Sequence, residues 1–91
     1  MSDTEKPDVI LYSKPGCGPC MASANAMTKA GIEFTKIDIT VDPIAADTVK
    51  ALGFAGVPVT VADGESWHGF REAKIKDLAR KFSQVDALAS V

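Results

Sequence analysis

The sequence predicts an α/β domain: a small mixed sheet of four strands flanked by three helices, in the order β-α-β-α-β-β-α. Three observations carry that prediction. Short runs of strand formers alternate with longer stretches at helical spacing. The strand–helix–strand opening favours parallel pairing of the first two strands. Asp63-Gly64 sits between two short runs as a tight-turn signal, so the last two strands form an antiparallel edge. With 91 residues the chain is one domain, 1–91. At that size the core must be compact.

Residues 1–8 are polar and are expected to fray. Val9-Ile10-Leu11-Tyr12 is an apolar run fit for a strand buried on both faces, and Ser13-Lys14-Pro15-Gly16 breaks it. A helix follows from the Cys17–Cys20 segment to about Ala30, with Gly31 as its C-terminal cap. It is rich in Ala and Met and nearly free of charge until Lys29, which predicts a largely covered helix. Ile32 to Ile39 reads as the second strand, with Phe34, Ile37 and Ile39 as core candidates. Asp42-Pro43 opens the second helix, with Asp as cap and Pro at the first helical position. Ala45, Thr48, Val49 and Leu52 share its inner face, and Gly53 stops it. Val57 to Val61 is the third strand and Ser66 to Phe70 the fourth. A last helix begins near Glu72 and buries Ile75, Leu78, Ala79 and Phe82. From Ser83 the chain frays or extends this helix.

Composition narrows the function. The chain is 46% hydrophobic and 24% charged, so it can build a core and fold alone. A net charge of −2 and a pI of about 5.2 argue against a nucleic-acid binder, which shows a basic surplus. The N-terminus lacks the basic and apolar segments of a secretory signal, and no run is long enough to span a membrane. A cytoplasmic protein is expected, and a monomer is the default.

The two cysteines, Cys17 and Cys20, are three apart. A disulfide scaffold needs more cysteines, spread along the chain. Half of a zinc site would need further ligands, and His68 is the only other residue of His or Cys type. In a reducing compartment such a pair points to redox chemistry. Cys17-Gly18-Pro19-Cys20 follows a strand and opens a helix, where unpaired N–H groups and the helix dipole favour a thiolate. Cys17 is expected to face outward as the attacking sulfur, and Cys20, one turn in, to resolve the mixed disulfide. Pro19 stiffens the loop between them. Lys14 either adds positive potential nearby or is a solvated lysine.

Tyr12-Ser13-Lys14-Pro15, Cys17-x-x-Cys20, Gly56-Val57-Pro58 and Trp67-His68-Gly69-Phe70-Arg71 resemble the glutaredoxin-like NrdH redoxins, from about Val9 to Ala79. Trp67-x-Gly69-Phe70-Arg71 is the most discriminating part, similar to that family's Trp-Ser-Gly-Phe-Arg. The resemblance implies a thioredoxin fold, reduction by thioredoxin reductase and electron supply to class Ib ribonucleotide reductase; no cofactor is expected. It implies that Cys17 attacks, that Cys20 resolves, and that Pro58 is a cis-proline facing them, turning the Val57 backbone outward to an extended partner segment. Lys14, Gly18, Pro19, Val57, Pro58, Trp67 and Arg71 then belong to the partner-binding surface.

Two departures bear on this. Gly18-Pro19 is the pair typical of thioredoxin, but Gly16 stands where thioredoxin has Trp. Many glutaredoxins bind glutathione through Thr-Val-Pro and Gly-Gly followed by an acid. Here Gly56 replaces the Thr, His68 replaces the first Gly, and Glu72 stands about where the acid falls. A glutathione-dependent glutaredoxin is therefore the alternative. An iron–sulfur-binding module is a second alternative, opposed by the second cysteine.

Other residues have plainer readings. Trp67 packs the hairpin against the last helix, and by resemblance joins Arg71 in a network that shapes the preceding loop. His68 alternates with Trp67, faces the other way and is expected to be exposed. Met21 and Met27 read as core filler. Asp38 reads as a surface or capping carboxylate, with a place under the cysteines as the alternative.

Overall fold

A computed structural model describes residues 8–89, with side chains described for 8–82. The expectation for residues 1–7 lies outside the described residues; Asp8 is exposed and precedes the first strand. The elements are β1 (Val9–Ser13), α1 (Gly18–Lys29), β2 (Thr35–Asp38), α2 (Pro43–Ala51), β3 (Val59–Ala62), β4 (Glu65–His68) and α3 (Glu72–Ala89). This is the predicted order. The sheet runs β2-β1-β3-β4. β2 is parallel to β1, from Ile10↔Thr35 to Ser13↔Asp38. β3 is antiparallel to β1 and β4 to β3, as in Tyr12↔Val59 and Val59↔His68. β1 is thus central, which accounts for its continuous apolar run.

Alternation along β1 divides the core. Val9 and Leu11 meet Met27 and Ile32, Trp67 of β4, and Ile75, Leu78 and Phe82 of α3. Tyr12, on the opposite face, meets Ala45 and Val49 of α2 and Val59 of β3. Helices therefore cover both faces, as predicted. Asp63 and Gly64 both have positive φ, 51° and 78°, the backbone of a two-residue type I′ turn between β3 and β4. No helix among the described residues is long and apolar enough to cross a membrane.

Boundaries shift where side chains or backbone compete with the expected pattern. Ser13 is the last residue of β1 rather than a breaker, with 1% of its surface exposed. β2 starts at Thr35 because Ile32 closes α1 instead. Its N–H donates to the Met27 carbonyl, and the N–H of Gly31 (φ 77°) donates to Thr28. Phe34, Ile37 and Ile39 are half-buried against the two clusters. β3 starts at Val59, after a cis Val57–Pro58 bond, because Pro58 has no N–H for the ladder. β4 ends at His68, and Phe70 is exposed. α3 continues to Ala89, the extended alternative of the two expected for its end.

Three burial expectations are corrected. α1 is not largely covered: its fully buried residues are Cys20, Ser23 and Met27, a narrow stripe. Met27 is core filler, but Met21 is 61% exposed because it lies off that stripe. Leu52 is 40% exposed because it caps α2 beyond the last packed turn.

Candidate active site

The strand registers put the C-terminal ends of β1, β2 and β4 and the start of β3 at one end of the sheet. The chain leaves β1 there, turns through Lys14-Pro15-Gly16 and reaches Cys17 in extended conformation (φ −98°, ψ 108°). Cys17 is the N-cap of α1. Its carbonyl accepts the first helical bond, from Met21 N–H at 3.1 Å. Its Sγ accepts the N–H of Cys20 at 3.2 Å. Pro19 lies in the first turn, where its missing N–H costs nothing, and no acidic side chain shares that turn. A sulfur at this position takes the place of the usual capping oxygen. It lies where backbone donors and the dipole favour negative charge.

Cys17 and Cys20 form a disulfide, with Cα atoms 5.2 Å apart. Cys20 is the more covered, 3% against 7% exposed. The ranking follows expectation, but Cys17 does not point freely outward: its bond to Cys20 holds Sγ back over the first turn of α1.

Lys14, Gly18 and Pro19 are exposed around the pair. Pro58 is buried and Val57 half-buried. Among the described residues, the Val57 backbone makes no hydrogen bond outside the strands. The Pro58 carbonyl accepts the N–H of Gly69 at 2.8 Å. Arg71 Nε donates to the His68 carbonyl at 3.1 Å. The segment His68–Arg71 is thereby tied to the Pro58 loop, and the Arg71 carbonyl starts α3 by accepting from Ile75. Trp67 is 7% exposed and belongs to the core beside α3, with the Lys74 ammonium 5.9 Å from its ring centroid. Its placement is one of packing.

Sequence reasoning missed one contact. His68 is exposed, on the face opposite Trp67, and its ring stacks on Phe54 at 6.1 Å and 22°. Alternation gave its face, but nothing local names a partner from the loop before β3. Asp38 is a capping carboxylate. Thr40 donates to it from both Oγ1, at 2.6 Å, and N, at 2.8 Å, and these bonds hold its carboxyl below the usual aspartate range. Among the described residues, no group of three or more His, Cys, Asp or Glu side chains is arranged to hold a metal.

A dithiol pair capping the first helix after a central strand, on a four-stranded mixed sheet with helices on both faces, defines a thiol–disulfide oxidoreductase of thioredoxin-like fold. A family model described as glutaredoxin matches residues 9–67. The glutaredoxin-like protein NrdH of Salmonella typhimurium is 39% identical over 70 residues, 77% of this chain and 86% of the relative. NrdH of Escherichia coli K12 is 36% identical over the same share of each chain. The solved NrdH-redoxin of Escherichia coli superposes with a TM-score of 0.75 at 35% identity, covering 78% of this chain and 93% of that one. The chain belongs to the glutaredoxin family and, within it, to the glutaredoxin-like NrdH redoxins.

Proposed function

We propose that this redoxin is a dithiol electron donor, reduced by thioredoxin reductase and delivering electrons to protein disulfides, those of class Ib ribonucleotide reductase first among them. The observation that carries this reading is the likeness to NrdH proteins over more than three quarters of the chain. The solved one from Escherichia coli is described as having a thioredoxin-like activity profile.

In this reading the Cys17 thiolate attacks one sulfur of the target disulfide, and the other target sulfur leaves and takes up a proton. Cys20 loses its proton and attacks Cys17 Sγ, releasing the second target sulfur as a thiol. Two electrons pass to the target and the Cys17–Cys20 bond forms. The capping position of Cys17 supports its role as nucleophile. Val57, with its backbone free of bonds outside the strands, supports pairing with an extended target segment. Lys14, Gly18 and Pro19 edge the same end of the sheet, and Arg71 fixes the facing loop. The protein acts as a monomer in the cytoplasm, where a close cysteine pair stays available for exchange.

The test is the electron source. Oxidised protein is mixed with NADPH and either thioredoxin reductase, or glutathione with glutathione reductase, and NADPH consumption is followed. Fast turnover with thioredoxin reductase and none with glutathione is the expected result. Turnover with glutathione alone overturns it and makes Glu72 and Lys14 the residues to mutate.

A further inference from the structure

The buried polar side chains among the described residues are Ser13, Ser23 and Thr60, each 1% exposed. None of their hydroxyls has a hydrogen-bond partner. Folded interiors seldom leave such groups unpaired. The three share one layer. Leu11 lies in the core beneath α1 and α3, and Ser13, two residues further along β1, takes the same face. Thr60 pairs directly with Leu11 and with Trp67, which places it on that face too. Ser23 falls between Cys20 and Met27 on the buried stripe of α1. Ser13 ends the strand that leads into the cysteine loop, and Ser23 is one turn beyond Cys20.

That layer meets an unfilled chemical need. Cys20 is 3% exposed, and burial among apolar groups disfavours a thiolate. Yet Cys20 carries negative charge in both directions of the cycle: as nucleophile on the mixed disulfide, and as leaving group when its own disulfide is reduced. Asp38, the carboxylate considered for this place, is engaged by Thr40. No buried carboxylate or imidazole occurs among the described residues.

We propose that Ser13, Ser23 and Thr60 form a hydroxyl cradle that donates hydrogen bonds to the Cys20 thiolate. Hydroxyl hydrogens rotate to suit their acceptor. A disulfide sulfur accepts weakly, whereas a thiolate is a charged acceptor, so the donors pair only when the disulfide opens. In the step they serve, the Cys20 thiol gives its proton to solvent and its sulfur attacks Cys17 Sγ. The Cys17–Cys20 bond forms, the bond from Cys17 to the target sulfur breaks, and the target sulfur leaves as a thiolate that takes up a proton. The three act through Cys20 and are positioning residues. The inference rests on the assignment of Cys17 as the first nucleophile.

Rapid mixing of the reduced protein with an aromatic disulfide, dithiobis(nitrobenzoate), separates the two steps. The first coloured thiolate released reports attack by Cys17, and the second reports attack by Cys20. In the triple variant Ser13→Ala, Ser23→Ala, Thr60→Val the second phase is expected to slow about tenfold at neutral pH, with its pH midpoint moved upward. The first phase stays unchanged. Thr60→Ser, which keeps the hydroxyl, retains the wild-type second phase. A second phase unchanged in rate and midpoint overturns the proposal, as does a slowing that is equal at all pH values or shared by both phases. The single variants give the same reading where the triple variant does not fold. The role assignment fails separately: in that case Cys17→Ser leaves the first phase intact.

Discussion

α1 and α2 are built alike at both ends and differ in the side chain that caps the first turn. Each begins with an extended N-cap residue and a proline in the first turn, and neither has an acidic residue within that turn. In α2 the cap is Asp42, whose carboxylate accepts the N–H of Ala45 at 3.0 Å. In α1 it is Cys17, whose Sγ accepts the N–H of Cys20 at 3.2 Å. Both helices end on the same paired bonds around a glycine, Gly31 and Gly53. The difference teaches how this fold makes a reactive thiol. The frame that stabilises a permanent carboxylate in α2 is kept in α1, with a capping atom that can be oxidised. In the proposed mechanism the activation of Cys17 needs no special charge cluster, because the positive N-terminal end of α1 favours a thiolate at its cap.

The largest effect that tests this comparison is Cys17→Ser. Serine caps as well as aspartate, so the melting temperature of the reduced protein should hardly move. Disulfide reduction should vanish, because the oxygen cannot enter the exchange. Thermal melting and turnover, measured on the same sample, separate the two roles. If melting falls as far as activity does, Cys17 is chiefly structural and the comparison breaks. Cys20→Ser complements it by accumulating the mixed disulfide with a target, visible on a non-reducing gel.

The C-terminal ends offer a smaller and more even test. Gly31 and Gly53 have φ of 77° and 92°, and an added Cβ would meet no atom within 4 Å at either site. Replacement by Ala then costs only the left-handed backbone, about 1–2 kcal/mol each. Denaturant unfolding of the two variants should give matching losses. A clearly unequal pair would mean that α1 and α2 are not held alike. Below that comes Asp42→Ala, which removes the cap of α2 at a cost of about 1 kcal/mol and leaves turnover unchanged.

Most of the fold was legible because its signals are local. Asp42-Pro43, Gly31, Gly53 and Asp63-Gly64 each encode a turn or cap within a few residues, and all appear where the sequence puts them. Boundaries failed where a residue served a neighbour's terminus, as Ile32 does in closing α1 instead of opening β2. The cysteine pair was legible from spacing and context. The rest of the site depends on residues far apart in the chain: the ring of His68 on Phe54, Gly69 on Pro58, and the grouping of Ser13, Ser23 and Thr60 in one layer. A serine ending a strand and a serine within a helix look like surface or breaker residues until the sheet register places them under the same helix.

Asp38 gives the smallest prediction and a third capping group to set beside the other two. It stands at the same end of the sheet, but it caps a turn rather than a helix: both its bonds come from Thr40. Its carboxyl is held down chiefly by the side-chain bond from Thr40, then by the backbone bond. A carboxylate whose value is lowered in the folded state stabilises the fold above its unfolded value, and that contribution is lost as pH falls through the folded value. The loss therefore lies below about pH 4. Asp38→Asn should lower stability slightly at neutral pH, and its melting curve should converge on that of the wild type as the pH drops below that point. Solvent reaches this turn, so the gap between the curves should be smaller than that caused by Asp42→Ala. A gap that persists unchanged into acid would place the contribution of Asp38 in the shape of its bonds to Thr40 rather than in its charge.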